Sequence, residues 1–310
     1  MIKNKHIAPD AGIFPGKIAG LGSGEIFYVC QKANAAYGWL DARVPADNLF
    51  TTITAALAKT VTERNDYVLV WPDATDYDEG ATLTMDKNNV HLICPAGLGG
   101  VYGAAMRSAT IDPNAAAHAI TITGRGCEVA GFWIRGYTEK ICVYVDGNGN
   151  WIHHNDCAIT NTTAVAGGIY VSSSGSGSKI ENNFVFTNAG SGTFLYGIYA
   201  HPSATRTQIK SNVISVSNAS TCTNGIDTTA AGSMTGAAMF VVSDNIVIEE
   251  PAHSSTGAST LSCGIRAGEA VACINNRVAI ATEANGLIGG TANCTFVTNY
   301  EPTSGGTLLT

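Results

Sequence analysis

The sequence predicts an all-β chain: a single-stranded right-handed parallel β-helix, or solenoid, with a short N-terminal capping helix. Three observations carry that expectation. Six asparagines, Asn155, Asn183, Asn212, Asn245, Asn276 and Asn299, recur at separations of 28, 29, 33, 31 and 23 residues. Apolar residues alternate on either side of each one. Charged residues make up only 13% of the 310-residue chain.

The alternation can be read position by position. An apolar residue stands three places before each asparagine: Ile152, Ile180, Ile209, Val242, Cys273 and Phe296. Two places after the first five stand Cys157, Val185, Ile214, Val247 and Val278. A period of two denotes strand, because successive side chains point to opposite faces. A further strand opens at Gly168-Ile169, Gly197-Ile198, Gly225-Ile226, Gly264-Ile265 and Gly286-Leu287, so each unit holds at least two short strands. Units of this size cannot bury an apolar face alone and must stack on their neighbours. Asparagine suits the turn, since it tolerates left-handed backbone and its amide can bond to the next asparagine one coil away. The six are therefore read as a structural ladder.

Along the chain, residues 1–45 lack the repeat and read as an N-terminal arm or attachment segment, with one strand expected over Glu25–Cys30. Residues 46–300 form the β-helix. Its capping helix is expected near 47–60, with Asp47 or Asn48 as N-cap and Phe50, Ile53 and Leu57 on the buried face. Residues 301–310 read as a C-terminal tail.

A net charge of −7 with 17 Lys plus Arg and no basic stripe argues against a nucleic-acid partner. No run of apolar residues is long enough for a membrane span, and the first ten residues lack the apolar core of a signal peptide. Nine cysteines show neither CxxC nor zinc spacing and read as small buried hydrophobes, as expected in a reducing compartment. No cofactor and no metal site is expected.

The entry segment, Leu49–Leu57, Asn65–Pro72 and Leu83–Ile93, resembles that of pectate-lyase-like β-helix proteins, a superfamily that includes polysaccharide lyases, glycoside hydrolases and bacteriophage tailspikes. The stretch Ile13–Val29 is similar to the start of β-helix proteins that accompany phage capsid genes. The resemblance implies a phage virion structural protein, a capsid decoration or spike-like adhesin, made in the host cytoplasm without a signal peptide. It would be attached to other virion proteins through residues 1–45, with host-surface glycans as possible ligands and a homotrimer as the analogous assembly. The alternative is a lyase or glycoside hydrolase acting along the β-helix face.

The residues leave catalytic assignment open. Polygalacturonase-type motifs are absent. Arg266 follows a Gly-Ile start and shares its register with Asp227 one coil below, which suggests a cross-coil ion pair. Asp146, Asp156, Glu181, Asp227, Asp244 and Glu249-Glu250 are the acids from which a catalytic pair would be drawn. Tyr144, Tyr170 and Tyr199 each follow an apolar strand residue. They should therefore point outward in register, as a platform for ligand or as a stabilising stack. His153-His154 and His201 read as turn histidines bonded to backbone, and Asp73, Asp76, Asp78 and Glu79 as an acidic loop with weak calcium potential.

Overall fold

The computed structural model describes residues 24–98, 108–113, 118–136, 140–159, 166–187, 193–216, 220–229, 240–249, 260–268, 270–280, 286–289, 295–297, 299–301 and 307–309. Their strands fall into three sheets of 11, 10 and 8 strands, here called A, B and C. From Leu83 onward the chain visits C, A and B in rotation. Strand Ile141–Val145 lies in C, Trp151–His153 in A and Asp156–Ile159 in B, and the next coil repeats the circuit with Ala166–Val171, Lys179–Glu181 and Phe184–Thr187. Each coil thus has three strands, where the pattern required at least two. Among the described residues every pairing between coils is parallel, as in Ile152↔Ile180↔Ile209↔Val242↔Cys273, and the register shifts in sheet C where Ala166 faces Phe194 and Gly167 faces Tyr196.

Alternation puts one set of side chains into a continuous core. Ile152, Ile180, Ile209 and Val242 from A, Cys157, Val185, Ile214 and Val247 from B, and Val143, Ile169, Ile198 and Ile226 from C are at most 1% exposed. The eight described cysteines are all buried.

At Gly168, Gly197, Gly225 and Gly264 the repeated glycine before the apolar residue lies inside its sheet C strand rather than at its start, at a point with no room for a side chain. A Cβ on Gly225 would lie 2.5 Å from Val247 Cγ1 and 2.6 Å from the carbonyl oxygen of Gly264, and Gly168, Gly197 and Gly264 are equally crowded.

The N-terminal end departs from expectation in two ways. Ile26–Val29 is no part of an arm: it pairs with Asp66–Val70 and Leu49–Phe50 inside sheet A. Residues 1–23, which carry most of the expected attachment segment, lie outside the described residues. The capping helix is also shorter, Ile53–Leu57, with Thr52 as its N-cap accepting from Ala55 N–H at 3.3 Å. Asp47 and Asn48 lie instead in a separate turn, Ala46–Asn48. The reason is local: the Asn48 amide donates to Glu25 Oε1 and to the Ile26 carbonyl, both at 2.9 Å, and so ties that turn to the first strand. Ile53 and Leu57 join the core as anticipated, with Ala56 beside them, while Phe50 precedes the helix and packs against the core half-buried.

At the other end, Thr307–Leu309 pairs antiparallel with Asn299–Glu301 rather than forming a free tail, and so becomes the edge strand of sheet B in its place. Among the described residues no helix is long and apolar enough to cross a membrane.

Candidate functional site

The turn from sheet A to sheet B holds the asparagine column. Each ladder amide is fully buried. Asn212 shows the pattern: its Oδ1 accepts from Asn183 N–H and Asn183 Nδ2, both at 3.0 Å, while its Nδ2 donates to the Ile180 carbonyl at 2.8 Å and Asn245 Oδ1 at 3.0 Å. The left-handed residue is not the ladder asparagine but the one before it: His154, Asn182, Ser211, Asp244 and Asn275, with φ between 53° and 59°. One coil below Asn155 the ladder position is Phe132, whose N–H donates to Asn155 Oδ1 at 3.1 Å.

Sheet C presents the aromatic column outward. Tyr144, Tyr170 and Tyr199 are register partners. Their rings lie 5.2 and 4.7 Å apart at 15° and 30°, with His118 stacked below Tyr144 at 4.8 Å and Tyr196 against Tyr199 at 4.6 Å. Ring faces therefore cover one another, and what remains for a ligand is edges and hydroxyls. Tyr199 is only 7% exposed. Burial first, and then neighbouring tyrosines or carboxylates, pushes all four phenols above their ordinary range.

The column continues into Asp227 and Arg266. Asp227 is buried. It accepts from Thr229 N–H and Oγ1, each at 2.7 Å, and from Asn224 Nδ2 at 2.6 Å. The expected cross-coil ion pair does not form, because those donors hold the carboxylate; Arg266 is exposed and acts on it through charge alone. Burial outweighs these donors and the arginine, and raises the Asp227 pKa.

The remaining acids are dispersed. Asp146 accepts a short hydrogen bond from Ser172 Oγ on sheet C. Three rungs separate it from Asp227, about 14 Å at the usual strand spacing, beyond the reach of a two-carboxylate glycosidase pair. Asp156 lies in sheet B and Glu181 in sheet A, while Asp244 accepts from Asn275 Nδ2 at 2.7 Å in the ladder turn. Glu249 ends strand Ile246–Glu249 and Glu250 lies outside the described residues.

The acidic loop is consumed piecemeal. Glu79 accepts from Ile53 and Thr54 N–H at the helix start, Asp76 pairs with Arg135 at 2.6 Å, Asp73 accepts from Asn34 Nδ2, and Asp78 accepts from Gly80 N–H. Among the described residues no three His, Cys, Asp or Glu side chains are arranged to hold a metal ion.

Sheet A carries a cluster that sequence reasoning missed. Glu128 Oε2 lies 2.6 Å from His91 Nδ1, and its Oε1 lies 2.7 Å from His153 Nε2. His91 Nε2 faces Asn65 Oδ1 at 2.9 Å, and His153 Nδ1 lies 2.8 Å from His154 Nδ1. Tyr67 stacks on His91 at 4.3 Å and Trp151 on His153 at 3.9 Å. Trp151 Nε1 donates to Glu181 Oε2 at 3.0 Å. Burial pushes the Glu128 carboxyl up, but hydrogen bonds from His153 and His91 and their charge prevail and hold it at about 2.

The side chains of His153 and His154 thus bond to a carboxylate and to each other, not to backbone as expected. His201 alone follows that expectation, accepting from Ser203 N–H at 3.1 Å on the sheet C side. Counting one ladder interval down from Asn155 would have aligned Glu128 with Trp151. Because Phe132 takes the asparagine's place, the marker needed for that count is missing.

No protein-family model matches the chain, and no curated protein sequence matches it. Solved structures similar to it include a pectin methylesterase from Aspergillus niger, at 13% identity and a TM-score of 0.45 over 93% of this chain and 87% of that one. Pectate lyase Pel9A follows at 13% identity and 0.41 over 92% and 80%, and a mutant pectin methylesterase in complex with a hexasaccharide at 12% and 0.36 over 89% of each. The chain's own three parallel sheets decide its class. It is a parallel β-helix protein. Within the β-helix, sheet C bears the tyrosines with Asp227 and Arg266, sheet A bears the histidine–glutamate chain, and the ladder separates A from B.

Proposed function

We propose that this β-helix is a structural component of a larger surface assembly, with a phage virion as the specific case. One observation carries the reading: the six-amide ladder, in which each buried amide from Asn155 to Asn276 donates to the asparagine of the next coil. Ladder, tyrosine stack and sheets spend their polar and aromatic groups on one another, as a stiff spacer requires. Sheet A spans ten strand spacings, about 48 Å. Virion placement draws on the resemblance of Ile13–Val29 to phage-encoded β-helix proteins. Reconstruction of purified particles tests it: density for this chain on the capsid or tail is expected, and recovery only from particle-free fractions would overturn it.

A second reading, a polysaccharide-cleaving enzyme, is favoured by Asp227, a buried acid of raised pKa beside Tyr196, Tyr199 and Arg266. That combination suits a proton donor on an exposed sheet face. Chain shortening of host capsule or uronate polymers, abolished in Asp227→Asn, would support it. Unchanged polymer length would remove it.

A further inference from the structure

The proposed roles leave the sheet A cluster unused, and its proton count constrains what it can do. Only one hydrogen fits between His153 Nδ1 and His154 Nδ1 at 2.8 Å. His153 Nε2 is committed as a donor to Glu128, which stays ionised through the ordinary range of pH. His154 is exposed, so its second nitrogen meets solvent.

We infer that His153 and His154 form an acid-operated latch: a couple that stays closed while it holds one shared proton, with or without a further proton on His154 Nε2, and opens when a second proton enters the gap between the two rings.

The closed states follow directly. With His154 carrying the shared hydrogen, its outer nitrogen is a base. An added proton there leaves the inner bond intact. A further proton sets two N–H groups head to head at 2.8 Å, and the contact must break. His153 is buried, clamped to Glu128 and stacked beneath Trp151, whereas His154 is exposed at a left-handed turn position, so His154 is the ring that leaves.

The charged and titratable groups around the couple are few. Glu128 lies on the rung below, with His91 behind it and Tyr67 stacked on His91. On the rung above, Glu181 holds Trp151 Nε1, its carbonyl accepts from His154 N–H, and Lys179 is the register partner of Trp151. Asp156 follows at the start of the sheet B strand. Burial and the neighbouring His153 push His154 below its ordinary range, with Glu181 opposing. Opening puts a free imidazolium next to Trp151 and Lys179, converting a paired surface into a cationic one.

Trp151 is the built-in reporter, because the imidazole beneath it changes charge. Its fluorescence, isolated by subtracting a Trp151→Phe variant, is followed from pH 8 to 3 while far-UV circular dichroism confirms the fold. Two reversible steps are expected for the wild type, as coupled sites require. His154→Asn, a residue already tolerated at this turn position in Asn182 and Asn275, should show a single step. Superimposable profiles for wild type and His154→Asn, or no signal that depends on Trp151, would overturn the latch.

Discussion

Asn183 Nδ2 donates to Asn212 Oδ1 at 3.0 Å while the backbone N–H of Asn183 donates to the same oxygen at 3.0 Å. One amide oxygen thus joins two coils twice, and the arrangement repeats from Asn155 to Asn299.

Asn212→Ala should therefore be among the most damaging single substitutions. It leaves buried donors on Asn183 and the Ile180 carbonyl without partners, at a cost of about 3 kcal/mol. Asn299→Ala, at the end of the ladder, loses fewer bonds and should cost less. Denaturant midpoints of the two variants check the order; equal losses would contradict a ladder whose interior is the more demanding part.

Gly225→Ala forces a methyl against Val247 Cγ1 at 2.5 Å and a backbone oxygen at 2.6 Å, so a loss of about 2 kcal/mol is expected from overpacking. Gly38, in the helix Tyr37–Asp41, has nothing within 4 Å of the same added atom. Gly38→Ala should be neutral or stabilise by up to about 1 kcal/mol. Thermal melts of the pair provide the comparison.

Tyr170 stacks on Tyr144 below and Tyr199 above. Its removal in Tyr170→Ala should cost about 1–3 kcal/mol from two lost ring contacts, whereas Tyr170→Phe keeps both rings and should cost little. If Tyr170→Ala melts like the wild type, the column is not a stabilising stack and its surface is free for another use.

Asp227 gives a pH signature of definite sign. Its pKa is raised on folding, so the native state binds the proton more tightly than the unfolded chain, and stability falls as pH rises from the unfolded value of about 3.9 through the raised native one. In Asp227→Asn that slope should vanish. The variant's stability relative to wild type should accordingly improve from pH 4 toward neutrality, as read from denaturation curves at each pH. A relative loss toward neutrality would mean that the charged form is the favoured one.

The ladder, the inward apolar positions and the outward tyrosines were legible because each recurs once per coil, and a periodic position has the same environment every time. The contacts that define the candidate sites were not, because they occur once. Asp227 was expected to meet Arg266, its register partner, but Asn224 and Thr229, three and two residues away on its own chain segment, reach it first. Glu128 lies in the first coil below the ladder, where Phe132 replaces the expected asparagine and the phase can no longer be counted. The capping helix begins later than the pattern predicts because Asn48, a good N-cap residue by type, is drawn to Glu25 by a tertiary contact invisible to local pattern.

The three corners of each coil differ in how much they vary. Two residues separate the sheet A and sheet B strands in every coil from Trp151 to Ala279, whereas between the sheet B and sheet C strands the number runs from 4, between Val216 and Thr221, to 10, between Glu249 and Thr260. Foreign peptides grafted between Ile159 and Ala166 should be carried without loss of phase, and display there could be repeated on successive storeys. A single residue added between His153 and Asp156 would instead disrupt the ladder turn, which holds two residues in every coil from Trp151 to Ala279.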